Sequence, residues 1–181
     1  FDEYDTIVYL DCDTVILKPF DELFEKKSFF AVSDNSKELV IHESALKNSR
    51  LLNHLKEDNL TVEEVQGSMV NSGVFALPKK YRSNQEFNKL LRLLSRYNDF
   101  IVHSDQSVIS IWCLINKIKS SKEYIYNFQI VFVKSEVLFQ IRLDQIIILH
   151  YAYFKPSKNF APLLQAADFI VMAKKLFDDH S

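Results

Sequence analysis

Glycine is nearly missing from this chain: only two, Gly67 and Gly73, stand in 181 residues. A phosphate loop of the P-loop or dinucleotide type needs several glycines so that backbone N–H groups can close on the anion, and no such run exists. Cysteine is as sparse. Cys12 and Cys113 both lie in apolar runs and read as reduced, buried thiols of an intracellular protein rather than as a disulfide framework. No window approaches the roughly 20 apolar residues of a membrane span, and no basic-then-apolar leader opens the sequence. The net charge is −2, without a long basic run, so electrostatics offer nothing to a nucleic acid.

What is present belongs to a globular chain. Apolar residues make up 48% and charged residues 25%, and the length suits one domain, residues 1–181. Thr6–Leu10 is an apolar, β-branched run that predicts a fully buried strand, followed by a short one over Val15–Leu17. Pro19 breaks the chain, and Phe20–Phe24 suggests one helical turn. Ser28–Val32 predicts a strand, and 35–66 is polar and partly helical. Val70–Leu77 predicts a strand with an irregularity at Gly73, stopped by Pro78. Phe87, Leu90, Leu91 and Leu94 recur at helical spacing within a predicted helix over Ser83–Tyr97. Asp105–Ile115 predicts a second helix capped by Ser104. Tyr124–Phe128, Ile130–Val133 and Ile146–Leu149 look like short strands, and Pro162–Phe177 has helical periodicity. Strands alternating with helices make this an α/β chain.

The chemistry centres on Asp11 and Asp13. Carboxylates at i and i+2 of an extended segment share a face, and here they stand at the mouth of a strand, where open α/β sheets bind ligands. Two carboxylates that close repel unless a cation lies between them, and hard oxygen donors suit Mn²⁺ or Mg²⁺. A solvated acidic turn is the plain alternative. Of the five histidines only His150 ends a strand-like run, as a ligand would; His42, His54, His103 and His180 read as surface residues. Trp112 and the phenylalanines read as core.

Four ordered blocks sharpen the picture. Val8-Tyr9-Leu10-Asp11-Cys12-Asp13-Thr14-Val15 runs on to Phe20-Asp21-Glu22-Leu23-Phe24; Asn71-Ser72-Gly73-Val74-Phe75, Asp105-Gln106, and Leu149-His150-Tyr151 with Lys155-Pro156 follow. Together they resemble the glycosyltransferases of family 8, the glycogenin-like group. That resemblance implies a GT-A fold, a mixed central sheet flanked by helices, and transfer of a hexose from a UDP-sugar to a hydroxyl acceptor with retention. It implies Asp11, Asp13 and His150 as ligands of Mn²⁺, with Mg²⁺ as an alternative. Lys155 would contact the diphosphate, Asp34, Asn71 and Ser72 would line the donor-sugar pocket, and Asp105 with Gln106 would position the sugar and support the transition state. The acceptor would be a glycan, a lipid-linked sugar or a protein hydroxyl. The location implied is cytoplasmic, with membrane association as an alternative.

Two departures qualify the match. Tyr153 stands where the family has a glycine, with Lys155 one residue early and Ser157 in place of tryptophan. The sequence also begins close ahead of Asp11, so the expectation is a GT-A domain without the first strands, which hold uracil and ribose. Residues 35–66, Gly67 and Pro78 are candidates to border the acceptor cleft. Two further readings stay open. Asp11-Cys12-Asp13-Thr14-Val15 also fits a haloacid-dehalogenase-type phosphatase, with one aspartate as nucleophile and the other as acid/base. Tyr153 and the missing strands suit a sugar-nucleotide-binding or scaffold domain.

Overall fold

In the computed structural model, residues 3–34, 39–129 and 142–152 are described below. The chain divides into two compact units, Phe1–Tyr9 with Asp21–Lys122, and Leu10–Phe20 with Glu123–Ser181.

The first unit is built on a three-stranded sheet in the order β1 (Thr6–Leu10), β4 (Val70–Pro78), β3 (Phe30–Ser33). β4 is central and almost wholly buried, which its apolar run anticipates. It pairs antiparallel with β3 through Phe30↔Ala76 and Ala31↔Phe75, then shifts register to Ser33↔Val70. The expected irregularity is therefore present, between Val70 and Phe75, the stretch that holds Gly73 and the polar Asn71 and Ser72 of a buried strand. β1 departs from expectation. Only Thr6 is buried, and Tyr9 is 47% exposed, one face of its ring stacked on Phe75 at 4.7 Å. An apolar β-branched run reads alike in a central and an outer strand; among the described residues β1 is outermost.

Helices α1 (Ser49–Glu57), α2 (Val62–Gln66), α3 (Asn84–Tyr97) and α4 (Ser104–Ile115) complete this unit. Local chemistry starts each of the first three. The Asn48 side chain accepts from Arg50 N and Leu51 N; Thr61 and Glu64 form a reciprocal capping box; Ser83 accepts from Glu86 N. α4 differs: Ser104 is its first residue, His103 is the cap, and no side chain caps the end. Instead the His103 N–H donates to Ser107 Oγ at 3.2 Å. α3 is also rotated relative to its apolar stripe. Leu93 and Tyr97 are innermost, while Phe87 and Leu91 face outward at 60% and 46% exposure. Trp112 is core as expected, edge-on to Phe29 and Tyr81, with its Nε1–H donating to Glu86 Oε2 at 3.1 Å. His54, expected at the surface, packs its ring edge-on to Tyr97.

The second unit carries a mixed three-stranded sheet in the order β2 (Thr14–Ile16), β6 (Ile148–His150), β5 (Phe128–Gln129). β2 runs antiparallel to β6 and β5 parallel to it. The expected strand over Tyr124–Phe128 is instead a 3₁₀ turn, Tyr124–Tyr126, leading into β5. Four apolar residues and one asparagine suit either conformation, and periodicity cannot separate them at that length. The other short strand starts two residues later than expected, at Ile148, and ends one later, on His150. Ile130–Val133 and Pro162–Phe177 lie outside the described residues.

Two outcomes test this core. Tyr97 OH donates to Asp58 Oδ2 at 2.7 Å, and Arg96 reaches the other oxygen of the same carboxylate at 2.7 Å. Burial, together with the Asp58 carboxylate that takes its hydrogen bond, holds the Tyr97 phenol well above the ordinary tyrosine range. Tyr97→Phe is expected to cost about 1–2 kcal/mol in urea unfolding, since Arg96 still satisfies Asp58. Cys12 is exposed, against expectation, whereas Cys113 is buried and its thiol is pushed up to about 12 by burial. A thiol reagent at neutral pH should label Cys12 in the native protein and Cys113 only after unfolding; equal native labelling would contradict this core.

Candidate functional site

β1 ends at Leu10, and the chain then turns back at once into β2. Thr14 N donates to Asp11 O at 3.2 Å and Thr14 Oγ1 donates to the same carbonyl at 2.8 Å. Asp11 and Asp13 thus occupy a tight turn rather than the extended segment expected, and the turn, not the pleat, brings their carboxylates together. The hairpin-like pairing of β2 with β6 sets Thr14 opposite His150, and Tyr151 N donates to Asp13 O at 2.9 Å. Residues 136 or more positions apart in sequence therefore meet.

His150 Nε2 lies 3.3 Å from Asp13 Oδ1 and 3.7 Å from Asp11 Oδ2, and one ligand atom of each residue falls within 4.8 Å of the others. The ring is 3% exposed; the Asp11 and Asp13 side chains are open to 37% and 14%. Around an octahedral divalent ion with bonds of about 2.1 Å, neighbouring ligands stand about 3.0 Å apart and opposite ones about 4.2 Å. The two separations from His150 Nε2, 3.3 and 3.7 Å, lie between those values. The ring orientation fits as well. Asn127 Oδ1 lies 2.9 Å from His150 Nδ1, and an amide oxygen only accepts, so Nδ1 carries the hydrogen. In the neutral ring the Nε2 lone pair then points at the carboxylates, the second-sphere arrangement usual for a ligating histidine. Two carboxylates and an imidazole suit a divalent cation, and the residues present fit one.

The first unit holds the other expected residues in one network. Asp34 Oδ2 accepts from Asn71 Nδ2 at 3.2 Å and from Gln106 Nε2 at 3.1 Å. Gln106 Oε1 accepts from Ser72 N at 3.3 Å, and Ser72 Oγ donates to Asp105 Oδ2 at 2.9 Å. Asn71 Oδ1 accepts from Gly73 N at 2.9 Å, and Ser110 Oγ returns to Gln106 O at 2.7 Å. The bulge in β4 supplies Asn71 and Ser72, both buried; the first turn of α4 supplies Asp105 and Gln106; Asp34 follows β3. Asp105 remains exposed, where the helix N-terminus favours its charge. All five residues singled out in the sequence are thus joined. Lys155 lies outside the described residues, as do Tyr153 and Ser157. Asn127, which orients His150, is the residue that sequence reasoning missed; its signal was a polar side chain inside the apolar run Tyr124–Phe128.

The chain matches the model of glycosyl transferase family 8 over residues 1–159, and it belongs to that family. No curated protein matches it in sequence. Among solved structures it is similar to the galactosyltransferase LgtC, in complex with donor and acceptor sugar analogues, at 16% identity and a TM-score of 0.58; the match covers 96% of this chain and 62% of LgtC. It is similar to the glycosyltransferase GlyE of Streptococcus pneumoniae TIGR4 at 24% identity and a TM-score of 0.50, over 82% of this chain and 33% of GlyE. The apo form of GlyE gives a TM-score of 0.51. The fold is the GT-A type, and the chain spans less than two thirds of either neighbour. Membership of family 8, not the geometry of the aspartates, sets the dehalogenase-type alternative aside.

The triad can be tested with the ion alone. Mn²⁺ at a hundred times its Kd should stabilise the fold by about 2.7 kcal/mol, seen as a rise in melting temperature that Asp13→Asn or His150→Ala removes. An unchanged rise in both variants would place the ion elsewhere.

Proposed function

We propose that this protein is a retaining hexosyltransferase that uses a UDP-sugar as donor and a hydroxyl group of a glycan, a lipid-linked sugar or a protein as acceptor. The observation that carries this reading is the convergence of Asp11, Asp13 and His150 in a family-8 chain. These three residues would hold Mn²⁺, with Mg²⁺ as the alternative. When bound, such an ion neutralises the donor diphosphate and stabilises the charge that grows on departing UDP. Residues 1–181 are read as the metal- and sugar-binding portion of one GT-A domain, acting in the cytoplasm or at a membrane surface. No helix among the described residues is long and apolar enough to cross a membrane.

The side chains divide the remaining work. Asn127 keeps the His150 ring fixed and its Nε2 lone pair available for coordination. The Asp34 carboxylate, by accepting from Asn71 and Gln106, locks both amides in place before substrate arrives, so binding costs little ordering. Asp105 has one oxygen held by Ser72 and stands exposed, a negative group for the sugar hydroxyls and for positive charge developing at the anomeric carbon. Lys155 is assigned to the diphosphate. In the transfer, the bond from the anomeric carbon to the diphosphate oxygen breaks, a bond to the acceptor oxygen forms, and the acceptor proton is released.

Calorimetry of UDP binding with and without Mn²⁺ tests the reading, with Asp13→Asn as control. The expected result is binding that needs Mn²⁺ and disappears in the variant, followed by sugar release from one member of a UDP-sugar panel. Mn²⁺-dependent UDP binding with no sugar release from any donor would point instead to a binding module, the outcome that Tyr153 motivates. No UDP binding under either condition, repeated on the full-length protein that carries the uracil- and ribose-binding strands, would remove the transferase reading.

A further inference from the structure

Gln129 ends β5 and is 1% exposed, yet neither its Oε1 nor its Nε2 has a hydrogen-bond partner. A buried carboxamide is normally satisfied at both ends, and an apolar side chain of similar length would fill the same space without the penalty. The position of this orphan is informative. β5 is parallel to β6, and Gln129 is in register with His150. Side chains at aligned positions of neighbouring strands emerge on the same face, so the unsatisfied amide flanks the imidazole of the triad. Thr14, aligned with His150 from the other side, completes the row. Asn127, two residues earlier, already has the Nδ1 edge of the ring.

The triad supplies three ligands, and a six-coordinate hard cation carries further oxygens. The O–H of a coordinated water donates, an oxygen of a phosphate accepts, and a carboxamide can answer either. We propose that Gln129 is a fourth protein group of this site, a positioning residue whose carboxamide hydrogen-bonds an oxygen carried by the cation held by Asp11, Asp13 and His150. The inference rests on the reading of that triad as a metal site.

Mn²⁺ titration without nucleotide, followed by the electron paramagnetic resonance signal of the free ion, tests it on the wild type, Gln129→Leu, Gln129→Glu and Asp13→Asn. Melting in chelator accompanies each titration. Gln129→Leu should weaken Mn²⁺ binding about 10- to 100-fold, the range for second-sphere partners, with the chelator melting temperature unchanged or raised. Gln129→Glu should restore affinity to the wild-type level or above, because a carboxylate beside the cation adds attraction. A merely structural glutamine gives the opposite pattern: lower melting in chelator and wild-type Mn²⁺ affinity in Gln129→Leu, which overturns the proposal. Binding that Asp13→Asn abolishes and Gln129→Leu leaves untouched overturns the role of Gln129 alone. No binding by the wild type overturns the triad reading and this inference together.

Discussion

The pairing of β2 with β6 is the constraint on which the candidate metal centre depends. Asp11 and Asp13 come from one short turn, but two neighbouring carboxylates by themselves only repel. What makes them a donor set is the ladder that sets Thr14 opposite His150 and ties Tyr151 N to Asp13 O. A slip of one residue in that register would turn the imidazole to the opposite face of the sheet. β6 is held from both sides, antiparallel to β2 and parallel to β5, so the ring is fixed by backbone pairing and by Asn127 at once. The long separation in sequence carries a loop-closure cost that the buried Ile148 and Leu149 help to offset.

In the first unit a different device does comparable work. A buried central strand should be apolar, because a polar group without a partner there is costly. β4 violates that rule at Asn71 and Ser72, and it does so at the register shift against β3. Each polar group then finds a partner within the network: Asn71 bridges Gly73 N and Asp34, and Ser72 bridges Asp105 and Gln106. Satisfied networks of this kind rigidify the side chains that take part. The same groups that would orient a sugar are therefore parts of the scaffold, and substitutions at Asp34 should be judged for folding before they are judged for catalysis.

Much of this was legible in the sequence. The α/β class followed from strand–helix alternation. Apart from Asp34, which stands in none of them, the expected residues of both constellations lie in four blocks in family order, Asp11-Cys12-Asp13 through His150. The failures share a cause, which is that pattern fixes element type better than environment. Thr6–Leu10 reads as buried because its residues are apolar, whereas among the described residues the strand is outermost and Tyr9 stays 47% exposed. Cys12 reads as buried for the same reason, but a turn carries it outward. The stripe Phe87-Leu90-Leu91-Leu94 marks a helix correctly, but two overlapping stripes fit α3, and the one buried in the core contains Leu93 and Tyr97. Asn127 and Gln129 were passed over because two polar residues in a short apolar run look like an ordinary alternation. Only the parallel register of β5 with β6 shows that both stand beside His150.

The scarcity of glycine and the donor set at the turn are two expressions of one choice. Anions can be held by backbone N–H groups, which requires glycine to let the chain approach. They can also be held by a cation that carboxylates and imidazole retain, which requires only side chains in register. This chain has two glycines, and neither adopts a positive φ. Gly67 follows α2 and Gly73 lies within β4, so neither belongs to the Asp11–Asp13 turn. The only positive-φ residues described, Asn59 and Lys117, follow helix ends instead. A backbone nest for phosphate therefore has no place at the Asp11–Asp13 turn, whereas a cation there would be held by three side chains that the sheet already aligns. That asymmetry makes metal dependence the property of the proposed activity that follows most directly from the sequence.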